Sequence, residues 1–211
     1  MIKNPDIPVT CLVYNNIPKY FEYRGIRSDG APNTALSNEK ILETIESFGY
    51  TKQQGIRGEK KVCALIMADK SKQMKNKLGF RQLLLLMQSS GVDEIILVAN
   101  DVFFSNKKKK KNTEVLDAFH QQHPNVRVRM YPYSVFALVV PDHVAVPPHR
   151  ILPPEEASAL LKREMIARKD MAMIPESDPP VVWLGGEPGQ IVEIKRLSET
   201  SGVSFFYRVI I

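Results

Sequence analysis

The stretch Glu94-Ile95-Ile96-Leu97-Val98-Ala99 is almost continuously apolar. A run of this kind is typical of a strand that is covered on both faces of a sheet. Helical patterns at residues 78–90 and 113–122 lie on either side of it, and further strand patterns occur at 61–67 and 126–130. This alternation favours a small α/β layer with right-handed crossovers.

The flanking regions of the first half carry weaker signals. Residues 1–36 are rich in Pro, Asn and Gly, which predicts irregular structure. Ser37 is a suitable N-cap for a helix that ends at Gly49, where a positive φ is easily adopted. The apolar residues 135–140 are interpreted as a second strand at the end of the layer.

The composition changes at Pro141, where several prolines predict a stiff, extended connector. We therefore predict a domain boundary there, with one domain at 1–140 and another at 141–211. The second domain contains a helix that begins at residues 153–156 and a short helical turn after Asp178. Strand patterns at 190–196 and 203–211 complete a compact α+β unit with a β-hairpin.

Positive charge is concentrated in the first domain. The chain carries 29 basic and 23 acidic residues. Five of the basic residues form an uninterrupted run, which we interpret as a loop: Lys107, Lys108, Lys109, Lys110 and Lys111. Such a run either neutralises DNA phosphates without reading their sequence or is simply a solvated loop tip.

Several classes of function are not favoured by the residues. Two distant cysteines indicate a reducing compartment without a disulfide framework, and no apolar run approaches the roughly 18 residues that a bilayer requires. The first residues lack the build of a secretory signal. The four histidines have no ligand-like spacing, Ser198 has no triad context, and two Glu-x-Lys triplets lack an acidic partner. We predict no metal, no cofactor and no catalytic residue.

The final strand pattern is apolar on both faces, since Phe206 and Ile210 alternate with Val203, Phe205 and Tyr207. A strand of this kind at the edge of a small sheet needs cover. Either the neighbouring helices supply that cover, or another chain pairs with the strand. The residues do not distinguish these two alternatives.

The second domain contains an ordered series of motifs: a histidine and proline-histidine lead-in, an acidic helix start, a double leucine, an Asp-Pro turn, two spaced glycines and a Tyr-Arg strand. In this chain they are His143, Pro148-His149, Glu155-Glu156, Leu160-Leu161, Asp178-Pro179, Gly185, Gly189, Ile194-Lys195-Arg196, Ser198-Glu199-Thr200-Ser201-Gly202 and Tyr207-Arg208. The series resembles the fifth common subunit of eukaryotic DNA-dependent RNA polymerases, whose C-terminal domain is homologous to a small subunit of the archaeal enzyme. Residues 177–186 look closer to copies from nucleocytoplasmic large DNA viruses.

The sequence departs from the family at three places. Pro180 and the Val181-Val182-Trp183 turn replace a more aromatic stretch of the cellular versions, and Leu197 stands where the family usually has proline. The Thr-Pro motif that approaches DNA in the family is missing after Ala99. The contact made by that motif therefore cannot be carried over to this chain. Residues 1–140 match the jaw domain of the family in length and order of elements but weakly in residues.

The resemblance implies a non-catalytic structural subunit, present as a single copy in a hetero-oligomer. Residues 141–211 would form the assembly domain that docks on the largest polymerase subunit, in contact with other subunits. The jaw-like residues 1–140 would lie near downstream duplex DNA, and no membrane is involved. Partner-binding residues would be His143, His149, Asp178, Pro179, Gly185, Gly189, Arg196, Ser198, Thr200, Tyr207 and Arg208.

Two further expectations accompany this one. A cellular copy would reside in the nucleus, and a viral one in the cytoplasmic virus factory and the virion. The alternative function is a free-standing nucleic-acid-binding protein that uses Lys107 to Lys111.

Overall fold

The computed structural model describes residues 8–28, 36–68, 77–104, 106–198 and 202–211. The chain divides into two compact units, an N-terminal unit at Met1–Leu138 and a C-terminal unit at Val139–Ile211. Both contain helices packed on a sheet, so the α/β fold class is confirmed. No helix among the described residues has the length and apolar character needed to cross a membrane.

The N-terminal unit is built on a five-stranded mixed sheet. Its strands, in the order in which they lie side by side, are β1 Arg27–Ser28, β2 Tyr50–Arg57, β3 Lys60–Met67, β4 Glu94–Ala99 and β5 Arg127–Pro132. Strands β3, β4 and β5 are parallel, and β2 pairs with β3 in the antiparallel direction. Among the described residues, the crossover from β3 to β4 contains one α-helix, and the crossover from β4 to β5 contains a 3₁₀ turn at Asp101–Phe104 followed by an α-helix.

The helices of this unit are α1 Val9–Tyr23, α2 Asn38–Phe48, α3 Lys77–Ser89, α4 Asn106–Gln122 and α5 Tyr133–Phe136. All six residues of β4 are buried, as its apolar run predicts. Ile95 and Leu97 join a core with α3 and α4. Because successive side chains alternate across a strand, Ile96 and Val98 point to the opposite face of the sheet.

Two predicted features near the chain start have different outcomes. Ser37 accepts a hydrogen bond from the Lys40 amide at 3.4 Å, and Gly49 ends α2 with a φ of 77°, so both predicted caps are confirmed. The prediction of irregular structure over residues 1–36 is wrong for the part that forms α1. Ile17 and Tyr20 belong to a fully buried stripe of this helix, which tertiary packing stabilises despite its internal Pro18.

The predicted strand at 135–140 is also wrong. Helix α5 ends at Phe136, and a 3₁₀ turn covers Val140–Asp142. A short apolar run does not distinguish a strand from a buried helical turn by periodicity alone. Here Pro132 occupies the N-cap position of α5, and Phe136 is fully buried.

The five-lysine run is not in a loop. Helix α4 begins at Asn106, seven residues before the start predicted at Thr113, and its backbone includes Lys107 to Lys111. Lysine is a good helix former, which explains how the helix extends through the run. Cations are nevertheless unfavourable near the positive end of a helix dipole.

The C-terminal unit contains a four-stranded sheet with helices in the connections between the strands. The elements are β6 His149–Ile151, α6 Pro154–Glu164, β7 Met173–Ile174, α7 Pro179–Leu184, β8 Ile191–Ser198 and β9 Gly202–Ile210, with a further 3₁₀ turn at Arg168–Asp170. The strand order in the sheet is β6-β8-β9-β7. Strands β8 and β9 form the predicted hairpin, with Ile191 opposite Val209 and Leu197 opposite Val203.

Candidate assembly interface

The end of the hairpin that carries the chain terminus is sandwiched between two helices. Ile191 and Val209 pack with Leu160 of α6 on one face. Val192 and Ile210 pack with α7 on the other face. Both helices are short, so this cover reaches only the end of the hairpin that is near the chain terminus.

The far end of the hairpin is uncovered on both faces. Leu197 is 88% exposed, Phe205 51% and Phe206 46%. Phe205 lies on the same face as Leu197, whereas Phe206 lies on the opposite face. Of the two alternatives, complete cover of the hairpin by internal helices is therefore not found among the described residues. An exposed apolar patch of this kind typically marks an interaction site.

Positive charge accompanies these apolar side chains. The Arg196 guanidinium lies over the ring of Phe206, 4.9 Å from its centroid. Lys195 is exposed and directly opposite Phe205 on the neighbouring strand. The uncovered end of the hairpin therefore presents rings flanked by cations, a combination suited to apolar and acidic partners.

A groove of about 410 Å³ lies between α6 and the hairpin. Arg150 of β6 spans its rim, with ion pairs to Glu156 at 2.8 Å and Glu193 at 3.1 Å. These pairs tie β6, α6 and β8 together. The groove is lined by Leu152, Glu156, Ala159, Leu160, Arg163, Glu193 and Tyr207.

Three of the predicted partner-binding residues form a cluster at the start of α7. Asp178 occupies the N-cap position of that helix, without a side-chain capping hydrogen bond. Burial raises the pKa of the Asp178 carboxyl, and the charges of His149 and Arg208 oppose that rise. Arg208 also donates a hydrogen bond to the Met173 carbonyl at 3.3 Å. The Asp178 carboxyl at the start of α7 is therefore influenced by charges on β6 and β9.

The predicted glycines have backbone roles. Gly185 ends α7 with a φ of 70°, and Gly189 has a φ of 86° while its amide donates to the Ile210 carbonyl at 2.8 Å. Pro179 is the first residue of α7, where its missing N–H has no intrahelical acceptor to lose. These three residues shape the C-terminal unit from within.

The remaining predicted residues are more dispersed. His143 is exposed, and its Nδ1 accepts a hydrogen bond from the Ala145 amide. Ser198 is the last residue of β8, and Thr200 lies outside the described residues. Tyr207 lines the groove. In the described part of the chain, no group of three or more His, Cys, Asp or Glu residues is placed to hold a metal ion.

A buried ion cluster in the N-terminal unit was not anticipated from the sequence. Glu94 accepts hydrogen bonds from Arg24 at 3.0 Å and Arg57 at 2.9 Å, and Arg129 lies 3.6 Å away. The Glu94 side chain is only 3% exposed and that of Arg24 only 1%. The available signal was the single carboxylate at the start of an otherwise apolar strand.

Comparison with known proteins identifies the C-terminal unit. Residues 138–210 match the family model described as RNA polymerase Rpb5, C-terminal domain. Over 90 residues the chain is 44% identical to a DNA-directed RNA polymerase RPB5 homolog of African swine fever virus. That match covers 41% of this chain and 44% of the viral relative, so the chain spans less than half the length of this relative.

Archaeal relatives match the same region. The chain is 49% identical over 70 residues to the DNA-directed RNA polymerase subunit Rpo5 of Thermococcus kodakarensis, covering 33% of this chain and 85% of that protein. The corresponding subunit of Pyrococcus abyssi is 51% identical over 69 residues, with 33% and 84% covered.

The two-unit α/β architecture and these matches define a protein that carries a polymerase-subunit domain. The chain belongs to the Rpb5 family of DNA-directed RNA polymerase subunits. The predicted resemblance is thereby confirmed, and the viral homologues support a viral origin.

Proposed function

We propose that this protein is a non-catalytic structural subunit of a multisubunit DNA-dependent RNA polymerase. It docks on the largest subunit through residues 141–211 and is present as a single copy. The observation that carries this proposal is the hairpin of β8 and β9, whose far end leaves Phe205 and Phe206 half exposed. The relatives that share this domain are named as subunits of that enzyme.

The cluster at the start of α7 supports the same docking role. Asp178 lies close enough to His149 and Arg208 for their charges to act on its carboxyl. The Asp178 carboxyl therefore lies within electrostatic range of basic groups on β6 and β9. We propose that the largest subunit contacts these three residues as well as the hairpin.

Residues 1–140 are proposed to lie near downstream duplex DNA. The supporting observation is the lysine run in the first turns of α4, in a unit that carries the excess positive charge of the chain. Contacts with phosphates need no sequence recognition and weaken as salt rises. In a cellular enzyme this function belongs in the nucleus, and in a viral enzyme in the virus factory and the virion.

Affinity purification of the tagged full chain tests the docking proposal. The largest polymerase subunits should be recovered in a fixed ratio to the tagged chain. The double variant Phe205→Ala with Phe206→Ala should lose most of that recovery, because it removes both exposed rings. Phe48→Ala is the matched control, since Phe48 is 62% exposed but lies on α2 of the N-terminal unit. Equal recovery by the double variant and this control would refute docking through the hairpin.

The alternative is a free-standing nucleic-acid-binding protein, which the lysine run in α4 favours. It requires tight, salt-sensitive binding of DNA by the isolated chain, lost when Lys107 to Lys111 are replaced by Gln. Each phosphate contact makes the slope of the logarithm of the binding constant against the logarithm of the salt concentration more negative by about 0.9. Under the subunit proposal the isolated chain binds DNA weakly, and the five replacements instead reduce cross-linking of downstream DNA in the assembled enzyme.

A further inference from the structure

The outer edge of β9 is open over most of its length. Strand β7 pairs only with Val209 and Ile210, and on the other side of the hairpin β6 pairs with three residues of β8. From Val203 to Tyr207, β9 has no strand beside its outer edge among the described residues. An exposed strand edge is a template for pairing with another chain.

The hydrogen-bond register shows which backbone groups face that edge. The Ile210 amide donates to the Gln190 carbonyl, in the direction of β8. The Val209 amide donates to the Ala172 carbonyl and the Ile211 amide donates to the Ile174 carbonyl, so both amides point away from β8. Because the direction alternates along an antiparallel strand, the amides and carbonyls of Val203, Phe205 and Tyr207 also point outward.

The outer edge of β8 is less available. The Lys195 amide already donates to the Pro148 carbonyl at 2.9 Å, and the Ile191 carbonyl already accepts from Leu152. Only the end near Leu197 is left there, whereas β9 offers three alternate outward-facing residues. A strand five residues long spans about 17 Å, which is sufficient for specific pairing.

We infer that the open edge of β9, from Val203 to Tyr207, accepts an extended segment of another protein chain as an added strand, and that this segment alternates apolar with acidic side chains. The inference rests on the proposed function, because the segment is taken to belong to the largest polymerase subunit. Main-chain hydrogen bonds supply affinity in this mode of recognition, and the alternate side chains supply specificity.

The two faces of the hairpin determine the chemistry of the segment. On one face, Phe205 and Val203 continue the apolar surface that leads from Tyr207 to Leu197. On the other face, Phe206 lies between Ser204 and Arg208 along β9. An added strand therefore meets Val203, Phe205 and Tyr207 on one face, with Lys195 opposite Phe205, and Phe206 beside Arg196 and Arg208 on the other face.

A second copy of this chain is a poorer occupant than an acidic segment. Pairing β9 with its own copy would bring Arg196 and Arg208 of both copies onto connected faces of one sheet. Among the described residues of β8 and β9, that face contributes no carboxylate to offset those charges. Like charges brought together across a sheet are destabilising.

Residue-resolved hydrogen exchange of the full chain, alone and bound to the purified largest subunit, tests the register directly. In the free chain, the Ser204, Phe206 and Arg208 amides bond to β8 and exchange slowly, whereas those of Val203, Phe205 and Tyr207 exchange fast. Binding should slow the second set at least tenfold. A complex that leaves the second set fast overturns the added strand but leaves the proposed function intact.

A pair of substitutions at one position separates the backbone from the side chain. Phe205→Ala keeps the outward amide, whereas Phe205→Pro also removes it, and proline is tolerated at a strand edge. The proline variant should bind the largest subunit about tenfold more weakly than the alanine variant, the loss expected for one main-chain hydrogen bond. Equal affinity of the two variants overturns the inference.

Charge reversal tests the acidic character of the segment. Arg196→Glu should weaken binding more than Lys40→Glu, which makes the same charge change on an exposed residue of α2. Equal effects overturn the acidic assignment. Failure of the wild-type chain to bind the largest subunit overturns the proposed function itself. A homodimer that protects the same three amides overturns the choice of occupant.

Discussion

Glu94→Gln should destabilise the N-terminal unit strongly. Glu94 is the acidic group that three arginines share, and two of those arginines are almost fully buried: Arg24 and Arg129. Its hydrogen bonds to Arg24 and Arg57, at 3.0 and 2.9 Å, are short charge-assisted contacts. Breaking a buried pair by removing one charge costs about 3–5 kcal/mol, because the remaining cations stay buried without compensation.

Because glutamine keeps one acceptor oxygen, we expect the free energy of unfolding to fall by about 3 kcal/mol, the lower end of that range. Urea unfolding followed by far-UV circular dichroism measures the loss. With a urea dependence of about 2 kcal/mol per molar, the midpoint should fall by about 1.5 M. Glu22→Gln is the control, because Glu22 pairs with Lys19 at 3.0 Å on the surface and such pairs contribute less than about 1 kcal/mol. Equal midpoints for the two variants would show that the cluster is not a buried ion network.

Three further predictions concern buried groups. Gly186→Ala should destabilise the C-terminal unit by about 1–3 kcal/mol, because the added Cβ would lie 2.6 Å from Ile210 Cδ1; fluorescence of Trp183, the single tryptophan, reports this unfolding. Asp178→Asn should raise the thermal midpoint of the free chain at pH 7 but not at pH 3, since burial raises the pKa of Asp178. Burial raises the pKa of the Cys63 thiol to about 11, so Cys63 should resist thiol reagents at pH 8 until the chain unfolds.

The sign of the Asp178 effect follows from linkage. A carboxyl whose pKa is raised by folding stabilises the folded state while protonated, and that contribution is lost as pH rises through the raised pKa. Asparagine removes this loss at neutral pH. A lower midpoint at pH 7 would mean that the charges of His149 and Arg208 outweigh the burial of Asp178. If Gly186→Ala unfolded with the same stability as the wild-type chain, as followed by Trp183 fluorescence, the packing described around Gly186 would be contradicted. Fast labelling of Cys63 in the folded chain would contradict its burial.

Features with local physical causes were predictable from the sequence. The run at β4 is apolar in every position after Glu94, and its full burial followed from that pattern. The caps of α2 follow from the short polar side chain of Ser37 and the conformational freedom of Gly49. The hairpin was also predictable, because strand patterns at residues 190–196 and 203–211 are joined by a short polar connector.

Features that depend on tertiary contacts were not predictable. Helix α1 has no strong N-terminal cap, and Pro18 interrupts its pattern, so only packing of residues such as Ile17 stabilises it. The apolar turn at α5 resembles a strand in sequence. In α4 the lysines have high helix propensity but lie near the positive end of the helix dipole, which is unfavourable for cations. The run is nevertheless helical, so propensity outweighs the dipole effect here.

The candidate interface shows the same division. Motifs indicated Asp178, His149 and Arg208 individually, but the sequence did not show that they lie together across three elements. The groove lined by Tyr207 and Glu193 is similarly formed by segments far apart in the chain. Local sequence patterns do not indicate which side chains from distant segments come together in the fold.

Native mass spectrometry of the complex purified through the tagged full chain tests the central claim most directly. We expect one copy of this 211-residue chain together with the largest subunit of an RNA polymerase and its other subunits. Recovery of the chain alone, as a homo-oligomer, or with nucleic acid but no polymerase subunit would contradict it.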